Sequence, residues 1–243
     1  MSYRLVRELA ADGVHVAVAC RVLHVSTSGY YEWRDRRPSA RAVADEALRV
    51  QIVAIHAMSR GSYGAPRVHA ELRLGRGVRC GRKRVARLMR IAALHGIYRR
   101  RGKHARPTPA VHDDLVRRRF VADAPNRLWL TDITEHPTRE GKLYCAAVLD
   151  VYSRRIVGWS IADHLRAELV VGTAADNALM ESFFGTLQLE LLDRRDWDTR
   201  RQLATAVFEW IEAWYNPRRR HISIDDLSPV EFELLHAAAA DAA

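Results

Sequence analysis

Apolar residues recur every three or four positions through the first part of the chain and then give way to strand-like runs, so the pattern itself divides the molecule. Between Arg4 and Arg37, Leu5, Val6 and Leu9 mark one short apolar face. Val14, Val18, Cys20 and Leu23 mark a second, and Tyr30, Tyr31 and Trp33 a third. Ser26 stands where an N-cap would open the third stretch. The spacing predicts a helix-turn-helix over residues 1–37. After the break at Arg36–Ser39, Leu48, Ile52 and Ile55 define the inner face of an amphipathic helix over Asp45–Met58. Gly61, Gly64 and Pro66 signal a turn, Arg67–Arg73 starts another helix, and Gly81–Ala93 forms a third with Val85, Leu88, Met89 and Ala92 inside. Residues 45–97 therefore read as a second helix-turn-helix-like module.

Residues 98–119 carry Arg99, Arg100, Arg101, Lys103 and Arg106 with Pro107 and Pro109 and no sustained period, the composition of a basic linker. The pattern then changes. Arg127–Thr134, Leu143–Asp150 and Arg154–Ile161 read as three strands separated by short turns, an antiparallel meander. A helical stub is expected over Leu165–Val171, with longer helices over Asp176–Leu192 and Arg200–Tyr215. Strands followed by helices imply an α/β layer fold over residues 120–236.

Charge sharpens the division. Residues 1–119 hold 26 Lys and Arg against 9 Asp and Glu, whereas residues 120–243 hold 13 against 20, so a front half at +17 precedes a back half at −7. That asymmetry suits a front that neutralises phosphates and a back that gathers carboxylates. Arg82, Lys83, Arg84 and Arg87 crowd one short helix, third in its trio, and make it the leading candidate to lie against double-stranded DNA. Arg67, Arg99, Arg100, Arg101, Arg218, Arg219 and Arg220 are further DNA-contact candidates. Cys20, Cys80 and Cys145 lie far apart without a Cys-x-x-Cys pair, so neither zinc nor a disulfide is expected. No apolar run approaches the ~20 residues of a membrane span, and Met1–Ala11 lacks signal-peptide character, so a cytoplasmic protein is expected.

Two carboxylates carry candidate chemistry. Asp132 interrupts the strand-like Leu128–Thr134, where a charge must be hydrogen-bonded, paired or bound to a cation. Glu181 borders the apolar face made by Met180, Phe183, Phe184, Leu187 and Leu191. Taken alone, Asp132 reads better as a strand-edge acid satisfied by backbone groups, and Glu181 as a helix-surface acid. Their surroundings are more specific. Trp129–Thr134, Gly141–Tyr144 and Val148–Trp159 resemble the start of the integrase core in insertion-sequence transposases with two overlapping reading frames. Asp176–Phe184 resembles that core's glutamate helix. Trp214–His221 and Leu227–Glu233 resemble its C-terminal signature, and Ser59–Val68 its second helix-turn-helix.

The resemblance covers nearly the whole chain and implies a ribonuclease H-like core whose Asp-Asp-Glu triad holds two magnesium or manganese ions for attack on a phosphodiester. Asp132 would be the first carboxylate and Glu181 the last, both catalytic and metal-binding. The second Asp should precede the Glu by about three dozen residues, and counting back reaches Cys145. Asp150, Asp163 and Asp176 belong by their neighbours to other elements, and the chain passes from Val171 to Asp176 without a fourth strand. The fold expected is thus a truncated ribonuclease H-like core, a three-stranded meander plus helices, behind all-α helix-turn-helix modules, with the region between 171 and 176 missing.

The implied function is DNA transposition by DNA binding and metal-dependent strand transfer, impaired in this copy; the alternative is a non-catalytic DNA-binding regulator. Implied partners are the element's terminal repeats and target DNA, a second copy of the chain and the upstream reading-frame product. The implied location is the bacterial nucleoid.

Overall fold

The computed structural model describes residues 2–97, 120–164 and 178–241. The chain forms two compact units, residues 1–48 and 49–243. The first contains α1 (Ser2–Ala11), α2 (Val16–Val22) and α3 (Thr27–Asp35). Their core is Val6, Ala19, Cys20 and Tyr30, with Tyr3 and Trp33 packed around it. Ser26 caps α3 by accepting from the Gly29 N–H at 3.3 Å, as its position in the sequence implies. Leu5, Val14, Val18 and Tyr31 point outward instead of joining the expected faces, because three short helices enclose a core too small for every apolar side chain.

Helix α4 (Ala40–Met58) begins earlier than its apolar period because Ser39 accepts from the Ala42 N–H. Leu48, Ile52 and Ile55 are buried. In the second unit, α5 (Ala65–Leu74) starts on Gly64 with Pro66 in its first turn, and α6 (Arg82–Ile91) buries Val85, Leu88 and Met89. Gly96 is needed for close approach: a Cβ there would overlap the Gly64 backbone.

The sheet is an antiparallel meander in the order β1 (Trp129–Thr138), β2 (Gly141–Asp150), β3 (Ile156–Ala162). At the first hairpin Gly141 has φ +120°, and a side chain there would meet the guanidinium of Arg200. Cys145, Ala146 and Ala147 are all buried, so the central strand is covered on both faces. Helix α7 (Ala178–Glu190) packs on β1, and α8 (Arg200–Glu209) on β2.

The last turns of α8 widen into a π-helical segment, Trp210–Tyr215, continued by α9 (Asn216–Arg218). Its rings fill the core beside α7, with Phe183 5.9 Å from Trp210 and 5.1 Å from Tyr215, centroid to centroid. Helix α10 (Pro229–Asp241) opens with a reciprocal cap: Ser228 Oγ accepts from the Glu231 N–H, and Glu231 accepts from the Ser228 N–H at 2.8 Å. No helix among the described residues is long and apolar enough to cross a membrane. The helical stub expected at Leu165–Val171, the linker and Arg99–Arg101 lie outside the described residues.

Candidate active site and nucleic-acid interface

Strand alternation places Leu130, Asp132 and Thr134 on one face of β1, and α7 lies against that strand with Glu181 in its first turn. The two expected carboxylates are thereby brought together from positions 49 residues apart. Asp132 keeps solvent access, yet neighbouring atoms desolvate its carboxyl and raise its pKa. The Ile133 N–H, donating to it at 2.8 Å, opposes that shift, and the negative charge of Glu181 adds to it.

No third acid joins them among the described residues, and no group of three His, Cys, Asp or Glu is placed to hold a metal ion. Asp150, a conceivable substitute, is fully buried and occupied by the β2–β3 turn, accepting from the N–H groups of Asn126 and Ser153 and from the Ser153 hydroxyl at 2.7 Å. In the sheet register it pairs with Trp129, three residues along the strand from Asp132. Cys145 is a buried thiol whose pKa burial pushes up to about 12, far from the thiolate form that binds metal. Two metals held together need a bridging ligand plus a terminal ligand on each side. The described acids do not supply that set.

On α6, Arg82, Lys83 and Arg90 are exposed, while Arg84 and Arg87 are half-buried. The helix shows solvent a short basic face. Arg218 is also exposed. The expectation of DNA contacts from Arg219 and Arg220 is corrected by their burial, since both are under 5% exposed and their charges are answered inside the protein. The Arg219 guanidinium grips Glu190 with Nε and Nη2, the latter at 2.9 Å. Arg220 donates to Glu71 of α5 at 2.7 Å and also to Glu231. Arg67 is mostly buried too, lying over the Tyr63 ring and 4.0 Å from Glu190.

The segment Asn216–His221 is therefore a junction. Asn216 exchanges two hydrogen bonds with the backbone of Ile156, fixing β3. Tyr63, completely buried, receives the Arg220 N–H on its hydroxyl at 2.7 Å and lies 5.4 Å from the Trp214 ring, centroid to centroid, at a tilt of 46°. His221 is kept from protonating: burial lowers its pKa well below the usual imidazole range, and the cations Arg219, Arg67 and Arg154 lower it further. Glu71, Glu190, Tyr63 and Glu231 were not singled out from the sequence; nothing local marks the first three, whereas the Ser-Pro-Val-Glu capping pattern is the signal that could have found Glu231.

Residues 43–102 match an HTH-like domain, and residues 122–215 match an integrase core domain. The transposase for insertion sequence element IS904 of Lactococcus lactis subsp. lactis is 31% identical over 248 positions, spanning 82% of this chain and 98% of the relative. Transposase InsF for insertion sequence IS3A of Escherichia coli K12 is 30% identical over 286 positions, spanning 96% of this chain and 98% of the relative. The transposase for IS629 of Shigella sonnei is 28% identical, spanning 92% and 93%.

The chain belongs to the insertion-sequence transposases, with a helical front that includes an HTH-like domain and a truncated ribonuclease H-like integrase core. The integrase core family is generally dependent on divalent metal ions, and its domains act on DNA. The alignments also record the shortening. The Lactococcus alignment runs over 248 positions but uses 82% of 243 residues, about 199, leaving about 49 positions without a counterpart here. The same comparison with the E. coli relative, 286 positions against about 233 residues, leaves about 53.

Proposed function

We propose that this chain binds the ends of its element as a transposase but performs little or no strand transfer on its own. One observation carries the reading: Asp132 lies near enough to Glu181 to feel its charge, with no third acid among the described residues placed to share a metal pair with them. In this reading Asp132 and Glu181 are what remains of the catalytic and metal-binding triad. The missing positions fall between residues 171 and 176, where the second Asp and its strand would lie. Magnesium or manganese, if bound by the two acids, would be weakly held and poorly oriented.

Residues 1–37 and 45–97 act as the DNA-binding modules, 98–119 as a basic linker and 120–236 as the core. Terminal repeats and target duplex are the DNA partners, contacted by Arg82, Lys83, Arg84, Arg87, Arg99, Arg100, Arg101 and Arg218. A second copy of the chain and the upstream reading-frame product are the protein partners, in the cytoplasm at the nucleoid. The exposed basic residues of α6 and the intact junction between α5 and Arg220 equally support a regulator that occupies element ends without cutting them.

The test is cleavage and joining of labelled element ends in magnesium and in manganese. DNA binding without product is expected. Robust strand transfer that disappears in both Asp132→Ala and Glu181→Ala would overturn the reading, because a third carboxylate would then have to complete the site.

A further inference from the structure

Helix α4, one continuous helix of 19 residues, has two apolar faces. One buries Leu48, Ile52 and Ile55. The other runs through Ala40, Val43, Ala47, Val50, Ala54 and Ala57, all exposed; Val43 and Val50 are each 58% open, and Val53 beside them is 38% open. The steps along this second face alternate between three and four residues, the repeat by which one helix seats against another. A solvated helix face is ordinarily polar, so an apolar seam along about 28 Å of helix signals a partner. DNA does not fit it, because the seam holds no Lys or Arg to meet a phosphate. Its flank carries Glu46 and Arg49, one acid and one base. On a front half at +17, this balanced face lets two copies meet without pressing basic groups together.

We propose that this face pairs with α4 of a second copy of the chain, the two helices running antiparallel about a two-fold axis between Ala47 and Val50. Side-chain volume sets the direction. Antiparallel pairing puts Val43 against Ala54 and Val50 against Ala47 of the second copy, with Ala40 against Ala57 at the ends. Every valine then meets an alanine, and the backbones approach evenly. A parallel pair would stack valine on valine and alanine on alanine, leaving gaps in alternate layers. The contact is isologous and closes at two chains. It buries roughly 600–800 Å² in total, below the ~1,200 Å² of a standard interface, so the pair is a weak one that forms at micromolar chain concentrations. The proposal rests on the reading of a second copy as a partner and supplies the surface it uses.

The experiment uses the full chain without DNA. Sedimentation equilibrium should show a monomer–dimer equilibrium in the wild type. Val50→Glu and Ala47→Lys, each placing a charge in the seam, should weaken self-association about tenfold or more, while thermal melts stay unchanged because both positions are exposed. Mixing these two variants should restore dimers, since the new acid of one chain then faces the new base of the other; rescue also shows that neither variant lost its fold. Direction is read by a short thiol crosslinker in a Cys80→Ser background, in which the remaining Cys20 and Cys145 are buried. Val43→Cys and Ala54→Cys chains should crosslink when mixed. Val43→Cys alone should not, because its two copies would lie about 16 Å apart along the antiparallel pair.

A wild-type chain that stays monomeric and uncrosslinked at about 100 μM would overturn the proposal and leave the face to a different protein. Dimers unchanged in both Val50→Glu and Ala47→Lys would place the contact elsewhere and overturn it too. Crosslinking of Val43→Cys with itself, and none in the mixture, would show a parallel pair and refute the antiparallel arrangement. Because the association is measured without DNA, its failure leaves the DNA-binding reading standing, and failure to bind element ends leaves the dimer standing.

Discussion

His221 shows how one residue ties the junction to pH. Its pKa is lowered in the fold by burial first and by Arg219, Arg67 and Arg154 after that, whereas in the unfolded chain it titrates near its ordinary value of about 6.5. The unfolded state therefore binds the proton more readily. Stability is full above about pH 7 and falls as pH drops below 6.5, with a slope approaching about 1.4 kcal/mol per pH unit. Chemical denaturation from pH 7 to 5 should show this loss, and His221→Asn should flatten it; an unchanged slope would mean that another group is responsible. Asp132 has the opposite sign. Its carboxyl is raised by desolvation and by Glu181, so its ionised form disfavours the fold at neutral pH. Asp132→Asn should raise the stability modestly at pH 7, by no more than about 1 kcal/mol for so exposed a group, and the gain should vanish below about pH 4. A destabilised Asp132→Asn protein would show that the Ile133 N–H bond outweighs the repulsion. Where a functional site is kept despite its local cost, that gain is the expected signature.

Elements explain what the sequence could and could not reveal. The helix starts at Ser26 and the strand runs were legible because caps and alternation are local signals. The encounter of Asp132 with Glu181 was reached only through resemblance, since no local rule joins acids from a strand and a distant helix. The Arg218–Arg220 run shows the limit most clearly. Three adjacent arginines look alike in sequence, yet only Arg218 is exposed, because acids at Glu190 and Glu71 claim the other two from 29 and 149 positions away. Arg219→Ala would strand the buried Glu190 charge and should cost about 3–5 kcal/mol of stability; a loss under about 1 kcal/mol in urea denaturation would contradict the junction described above. On α6, Arg82 and Lys83 are exposed and Arg84 and Arg87 half-buried. Replacing Arg82, Lys83, Arg84 and Arg87 together by Ala should lower the slope of log affinity against log salt by roughly one unit per phosphate contact removed. An unchanged slope would show that the helix does not lie on DNA.

At the scale of the whole molecule, the charge division and the packing division do not coincide. Charge separates residues 1–119 from the rest, but compactness groups 49–243 together. The reason is the junction: Glu71 with Arg220, Tyr63 with the Arg220 backbone, and the Arg60 carbonyl with Arg194 join the second helical module to the core. Removing residues 1–119 therefore does more than remove basic charge. It withdraws Glu71 from a buried guanidinium and strips Trp214 of its aromatic neighbour Tyr63, leaving buried polar groups unmatched. A chain starting at Phe120 should lose DNA binding and also melt well below the full chain, whereas one starting at Ser39, which keeps the cap of α4, should retain the full chain's main melting transition. Circular dichroism melts of the two truncations decide it. If the Phe120 fragment unfolded cooperatively at the temperature of the longer chain, the helical module would be a passenger on the core, and loss of DNA binding on its removal would report charge alone. If it melted early, binding experiments on that fragment would confuse a missing DNA contact with a damaged core. Point substitutions on α6 in the full chain would then be the sounder way to locate the interface.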